Sequence, residues 1–435
     1  MKLDNKRTFF VGFAFMAICA FWQVYDGIVP LILKNTFDLN DTLSGVIMAL
    51  DNVLALFLLP LFGAVSDRTH TRIGRRMPFI LIGGLAAAVF TVLLPIGNAA
   101  KSLALFMTAL GLVLVSMATW RSPAVALMPD VTPKPLRSKG NAVINLMGAV
   151  GGIVMLGAVG LLVPKGDDPN YYPIFLFTAA FMLVCLLVLR LTTNEPKLTE
   201  KMRAESAAMG VREDEPDEEE KLSGTAEMPK KVRKSFILIL VSVFLWFMGY
   251  NAVTTAFSKY ANVYWGLEGG SFAYTLMIAQ GAAIVSYIPV GILSTKFGRR
   301  KVILAGVAML TAAFAASAFF KSFTVLMFFF FALAGVGWAS INVNSYPMVV
   351  EMSRGSDVGK YTGYYYTVSM AAQIVTPILS GAVLEYGYLL LGSTNPDAGY
   401  VLLFPYGALF AAASFVTMLF VRHGDAKLPQ ETKQN

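Results

Sequence analysis

Residues Gly63–Phe79 read GAVSDRTHTRIGRRMPF: a long apolar run ends at Phe62, a tight knot of charge follows, and a new apolar run starts at Pro78. The pattern returns at Gly291–Lys301, GILSTKFGRRK, again between apolar runs. Both copies share a glycine, a polar position, a basic residue and then Gly-Arg-Arg, and Gly291 follows Gly63 by 228 residues in a chain of 435. A basic turn repeated at half the chain length, inside a series of apolar segments, points to two homologous halves of a membrane protein.

Composition agrees. The chain is 56% hydrophobic and 14% charged, with a mean hydropathy of +0.62. That charge content is roughly half of what soluble domains carry, and apolar runs of about 20 residues recur throughout. The net charge of +8 does not indicate nucleic acid, because the Lys and Arg sit in short loops between the apolar runs, where cytoplasmic loops collect them. Cys19 and Cys185 each lie inside an apolar run, so neither a disulfide framework nor a metal spacing exists. His70 and His423 fall in polar segments, which excludes a histidine relay within the membrane. Lys2, Lys6 and Arg7 precede an apolar run, but it continues to about Leu33 without a small-x-small cleavage site, and is read as a retained first span.

Spans are expected at 9–33, 42–65, 77–97, 102–128, 141–163 and 172–191, and again at 235–258, 272–295, 300–319, 323–350, 361–385 and 399–421. These make about twelve helices, since irregular backbone cannot face lipid. The fold expected is all-α and polytopic, with two pseudo-symmetric six-helix bundles at 1–191 and 235–435, joined by a charged cytoplasmic linker at 192–234. The linker carries EDEPDEEE at Glu213–Glu220, read as solvated and partly helical. Basic residues concentrate in alternate loops, which places both termini in the cytoplasm of a multi-pass protein of the plasma or inner membrane.

Ionisable residues within apolar spans are costly and often functional. Here they are Asp26 in the first span, Asp51 in the second and Arg121 in the fourth. At about 1.5 Å of rise per residue, Asp51 lies on the order of 20 Å from the cytoplasmic end of its span and Arg121 on the order of 10 Å. Asp51 is the first candidate for binding a coupling cation, H+ or Na+, and Arg121 for a substrate contact or a switching ion pair; a permanent structural pair of the two is the alternative. Amides and rings cluster in other spans: Trp22, Gln23 and Tyr25, then Asn145, Tyr250 and Asn251, Gln280, Trp338, Asn342 and Asn344, Tyr346, Tyr364–Tyr366 and Gln373. Such residues suit a sugar, whose hydroxyls need hydrogen bonds and whose C–H faces stack on rings. Packing between helices and interfacial aromatic belts are the bland readings, and they fit Tyr364–Tyr366 best. Asn342 and Asn344, two apart, cannot share a helix face. Gly148, Gly152 and Gly160 in the fifth span are spaced for close helix packing. Pro289, Pro347 and Pro377 are expected to bend their spans.

With these features in hand, the chain resembles the major facilitator superfamily over nearly its whole length apart from the linker. The cytoplasmic signature G-x3-D-R-x-G-R-R is similar to Gly63, Asp67, Arg68, Gly74, Arg75 and Arg76, with four extra residues before Gly74. SDRTHTRIGRRMPFILIG and the stretch VALMPDVTPKPLRSKGNAVINL, Val125–Leu146, look like the sucrose-transporter and glycoside–pentoside–hexuronide:cation branch. Departures are the single acid Asp51 in the second span, where melibiose-type members carry a pair nearer the cytoplasm, and Arg121, one turn earlier than the sucrose carriers' arginine relative to Asp130. Met147-Gly148 stands where the antiporter signature has Gly-Pro, which disfavours a drug exporter. The resemblance implies a secondary transporter working by alternating access around a midplane site, with cation-coupled sugar or glycoside uptake. Further readings are a facilitator or exporter of another small organic solute, and a sensor that binds without transporting. It also implies a cytoplasmic gate made of the Gly63–Arg76 residues with Asp130, and of Gly298, Arg299, Arg300 and Glu351, in which Asp67, at the cytoplasmic end of the second span, meets the N-terminus of the eleventh span near Gly359. Thr295 stands at the position matching Asp67. Neither an enzyme nor a cofactor is expected, since no nucleotide loop, metal cluster or nucleophile–base pair stands in any loop. The expected partners are the small-molecule substrate and the lipid bilayer, with no nucleic acid, and the chain is expected to be a monomer.

Overall fold

The computed structural model describes residues 4–133, 136–166, 169–208, 230–352 and 358–424. The acidic run Glu213–Glu220 lies outside them. The helices are α1 (Asn5–Asn35), α2 (Asp41–Arg68), α3 (Met77–Ala99), α4 (Leu103–Asp130), α5 (Arg137–Leu162), α6 (Tyr172–Thr192) and α7 (Glu195–Ala208). There follow α8 (Lys230–Val263), α9 (Phe272–Phe297), α10 (Arg299–Ser317), α11 (Leu326–Glu351), α12 (Val358–Leu390), a 3-10 turn at Pro396–Leu402 and α13 (Leu403–Leu419). Among the described residues twelve stretches are long and apolar enough to cross a membrane: α1–α6, α8–α12, and the 3-10 turn continued by α13. Many outward positions are apolar and strongly exposed, such as Ile82, Leu161, Val285, Ile288 and Leu390; lipid, not water, is the solvent that such a surface suits. The chain is a multi-pass membrane protein.

Helix ends follow ordinary capping chemistry. Asp4 accepts from the Arg7 backbone N–H at 3.1 Å to start α1, and Ser102 accepts from Leu105 N–H at 3.4 Å to start α4. Pro289, Pro347 and Pro377 lie inside α9, α11 and α12.

The chain divides into two compact units: Met1–Asn40 with Ile47–Glu215 and Leu267–Met277, and Asp41–Val46 with Pro216–Gly266 and Ile278–Asn435. In the first, α1 packs on α5 and α6, and α3 packs on α4 and α6. In the second, α8 packs on α12 and α13, and α10 packs on α11 and α13. The four pairings are the same when α1, α3, α4, α5 and α6 are set against α8, α10, α11, α12 and α13. The repeat seen in the basic turns therefore extends to the packing.

Gly151 permits the close approach of α1 and α5: a Cβ there would stand 2.3 Å from the Met16 carbonyl oxygen, a backbone atom that cannot swing away. Gly148 serves the same seam, its missing Cβ 2.8 Å from the Cys19 sulfur. Gly160 instead faces the Tyr274 ring.

Two features escape the hydropathy reading. Within 192–234, α7 lies on the first unit through buried Glu195, Met202 and Ser206, and Glu205 takes the buried Arg7 guanidinium at 3.1 Å. In the second unit, the first turn of α2 is fastened by a buried ion pair, Lys259 Nζ to Asp41 Oδ1 at 2.6 Å, with the side chains 5% and 4% exposed. Tyr400 donates its hydroxyl to the same oxygen at 2.8 Å, and the Thr42 N–H donates to Glu385 at 3.0 Å.

Candidate functional site

In the first unit, α1 presents Cys19, Trp22 and Asp26 at helical spacing, with Tyr25 beside them. Trp22 meets Tyr25 edge to face at 5.2 Å. The Trp22 indole N–H and the Tyr25 hydroxyl are both buried without a hydrogen-bond partner, and Tyr25 is 2% exposed. Arg121, from α4, lies over the Trp22 ring with its guanidinium carbon 5.5 Å from the centroid, a cation–π arrangement. From α2, Asp51 accepts from the Asn52 side-chain amide at 2.7 Å. The Arg121 charge acts on Asp51, Asp26 and Cys19, and the two carboxylates act on each other.

Among the described residues, no ion pair within 4.0 Å joins Arg121 to Asp26 or Asp51. The permanent Asp51–Arg121 pair, entertained from the sequence, is therefore absent in this structure. The half-buried charges of Arg121, Asp26 and Asp51 thus gather without an ion pair beside two buried donors that have no partner, on Trp22 and Tyr25. Buried polar groups are normally paired, so this arrangement suits an incoming ligand or ion. Asn145, on α5, is exposed, and no hydrogen bond ties it to this group.

In the second unit, Tyr250 and Trp338 stack face to face at 3.7 Å with 3° between their planes, and Phe247 meets Trp338 edge-on at 5.4 Å. The neighbouring Asn251 keeps a buried amide nitrogen without a partner. Asn342 is exposed, whereas Asn344 is buried and spends its amide on the Ser340 carbonyl at 2.9 Å. The alternation expected for residues two apart is thus present. Gln373 donates to Ser369 O in its own helix at 3.2 Å.

At the basic turns, Gly74 has φ of +120°, a conformation that favours glycine, and α3 starts three residues later at Met77. The Glu195 carboxylate, 2% exposed, sits on that helix start. It accepts from the backbone N–H groups of Arg75 at 2.8 Å, Arg76 at 3.0 Å and Met77 at 2.8 Å. An anion is stabilised there by unpaired N–H groups and the helix dipole. With the backbone so held, Arg75 and Arg76 both reach Asp130, each at 2.7 Å. Arg76 also bonds Asp67 and the Ser66 hydroxyl, and approaches the Gly63 carbonyl at 3.4 Å. Arg68 is exposed. At the second turn, Gly298 has φ of +91°, Arg299 pairs with Glu351 at 2.9 Å, and Arg300 donates to the Leu419 carbonyl at 2.6 Å. The side chains around Gly359 lie outside the described residues.

Sequence reasoning missed Glu195, Asn52, Asp41 and Lys259. Asp41 and Lys259 each fall one residue beyond an expected span end, and so escaped the search for intramembrane charge. The signal for Asn52 was its place beside Asp51. That for Glu195 was Glu-Pro opening a helix, a common helix-start pattern.

A family model described as Major Facilitator Superfamily matches residues 11–288 and 265–434. Among curated proteins, proton-associated sugar transporter A of Mus musculus is 31% identical over 137 residues, 29% of this chain and 18% of that protein. Sucrose transport protein SUC3 of Arabidopsis thaliana is 22% identical over 204 residues, 37% of this chain and 34% of that protein. The matches thus span about a third or less of these relatives' lengths. Among solved structures, the nucleoside transporter NupG aligns with a TM-score of 0.68 at 13% identity, covering 95% of this chain and 100% of that one. The xylose transporter XylE from E. coli aligns at 0.65 and 13%, covering 96% of each chain. At these identities the structural likeness concerns the fold.

Proposed function

Because this chain belongs to the Major Facilitator Superfamily, we propose that it is a secondary active transporter that takes up a sugar or glycoside together with a proton. The observation that carries the reading is the unpaired group of Asp26, Asp51 and Arg121 in the first unit. A half-buried carboxylate within a membrane span and without a bonded cation is costly in its charged form. Taking up a proton relieves that cost, and the change of charge alters what Arg121 can bind. Coupling needs such a group, one whose charge state and substrate contact depend on each other.

The sugar part rests on chemistry of a different kind. Orphaned donors at Trp22, Tyr25 and Asn251 suit hydroxyl acceptors, and the Tyr250–Trp338 stack offers an aromatic surface to C–H faces. The names of the relatives, a proton-associated sugar transporter and a sucrose transport protein, support the same class and favour H+ over Na+. The alternation of basic loops supports cytoplasmic termini in a plasma or inner membrane.

The test is uptake of sucrose, glucose, melibiose and xylose into proteoliposomes holding the full chain, under imposed pH or Na+ gradients. Accumulation driven by an inward proton gradient is expected, and Asp51→Asn should abolish it while sparing exchange. Accumulation that follows neither gradient, or that survives Asp51→Asn, overturns the reading.

A further inference from the structure

We propose that Asn52 is the positioning residue of the coupling acid, its amide holding Asp51 in both the charged and the neutral form. This rests on the reading of Asp51 as that acid. Residues one apart on a helix point about 100° away from each other and do not ordinarily interact. Here the two side chains lean together until the amide nitrogen is 2.7 Å from Asp51 Oδ1.

The other groups that face Asp51 act differently. Arg121 from α4 and Asp26 and Tyr25 from α1 bear on it through their charge or dipole, and among the described residues none of them is hydrogen-bonded to it. Asn52 therefore supplies the directed contacts, from its backbone N–H as well as its amide, and substitution removes only the second.

An amide suits this task because it is donor and acceptor at once. Its N–H₂ donates to the carboxylate. When a proton arrives on Asp51, the amide can turn and let its carbonyl oxygen accept from the new O–H. A leucine has nearly the same shape and can do neither; a lysine or arginine could serve only the charged form.

The experiment needs no substrate. A hydrophobic carbodiimide adds to a protonated carboxyl and rearranges to a stable N-acylurea on that side chain. The full chain in proteoliposomes is labelled over a pH series, and the fraction modified at Asp51 is read by peptide mass spectrometry, with Asp26 read separately. With the backbone N–H contact retained, loss of the amide donor to the charged form should raise the half-labelling pH at Asp51 in Asn52→Leu by about half a unit. Asn52→Ser, which keeps a hydroxyl able to donate and accept, should fall between Asn52→Leu and wild type. If the leucine variant does not assemble, Asn52→Ala is read on the same scale. A half-labelling pH unchanged from wild type overturns the assignment. Proton-driven uptake is measured in parallel: its absence from the wild type would defeat the coupling reading, while the labelling shift would still report Asn52's hold on Asp51.

Discussion

Replacing Lys259 with methionine keeps the length and apolar stem of the side chain and removes the charge that holds Asp41. The carboxylate would then be left buried with the Tyr400 hydroxyl as its bonded partner, where now two donors meet the same oxygen at 2.6 and 2.8 Å. Removing one side of a buried ion pair costs about 3–5 kcal/mol. The surviving Tyr400 bond places this case near the lower end, at about 3 kcal/mol. For a chain of 435 residues, an unfolding entropy near 2.1 cal/mol/K per residue turns that into a fall of about 3 °C in melting midpoint. The assay is the thermal midpoint of the purified full chain in lipid nanodiscs, for Lys259→Met, Asp41→Asn and the double variant. The double variant should recover most of the loss, because neither charge is then stranded. The loss should also persist at high salt, since a pair this deeply buried is poorly screened. A double variant as unstable as Lys259→Met, or a single variant with an unchanged midpoint, refutes the reasoning.

Other outcomes concern the helix seams and helix starts. Gly151→Ala should cost about 1–3 kcal/mol through its collision with the Met16 carbonyl, whereas Gly157→Ala, with nothing within 4 Å of the added carbon, should be neutral or slightly stabilising; thermal midpoints of the pair decide. Glu195→Gln should weaken the α3 start by about 1–2 kcal/mol, seen as faster hydrogen exchange at Arg75–Met77 with uptake kinetics measured alongside. The hydrogen bond from Lys201, then that from the Arg7 backbone, holds the Asp4 carboxyl below its usual range. A group depressed in this way contributes above its ordinary value and loses that contribution as pH falls through its folded value. Protection of the first turn of α1 in hydrogen exchange should therefore hold at pH 6 and decline below about pH 4.

The twelve spans were legible because lipid imposes a length and an apolarity that a sequence cannot hide. The repeat was legible because Gly74 and Gly298 take positive φ before their Arg-Arg pairs, which keeps both turns recognisable. The candidate acids were legible as charges where charge is costly. What stayed hidden depends on partners distant in the chain. Asp41 reads as the polar edge of a span until Lys259 and Tyr400 are seen on it, and Glu195 reads as linker until it is found on the start of α3. Conversely, the permanent Asp51–Arg121 pair that the sequence left open as an alternative is not formed: a count of residues along two spans does not determine which side chains meet.

The fastening of α2 also bears on how the chain is made. Asp41 emerges early, but its partners Lys259 and Tyr400 follow 218 and 359 residues later. At about 5–20 residues per second, the carboxylate waits roughly 10–45 s for its cation and 20–70 s for its phenol. During that interval α2 is an apolar segment whose first residue is an unmatched anion. A substitution at Lys259 would make that passing state permanent, and is expected to show as lost yield of folded protein.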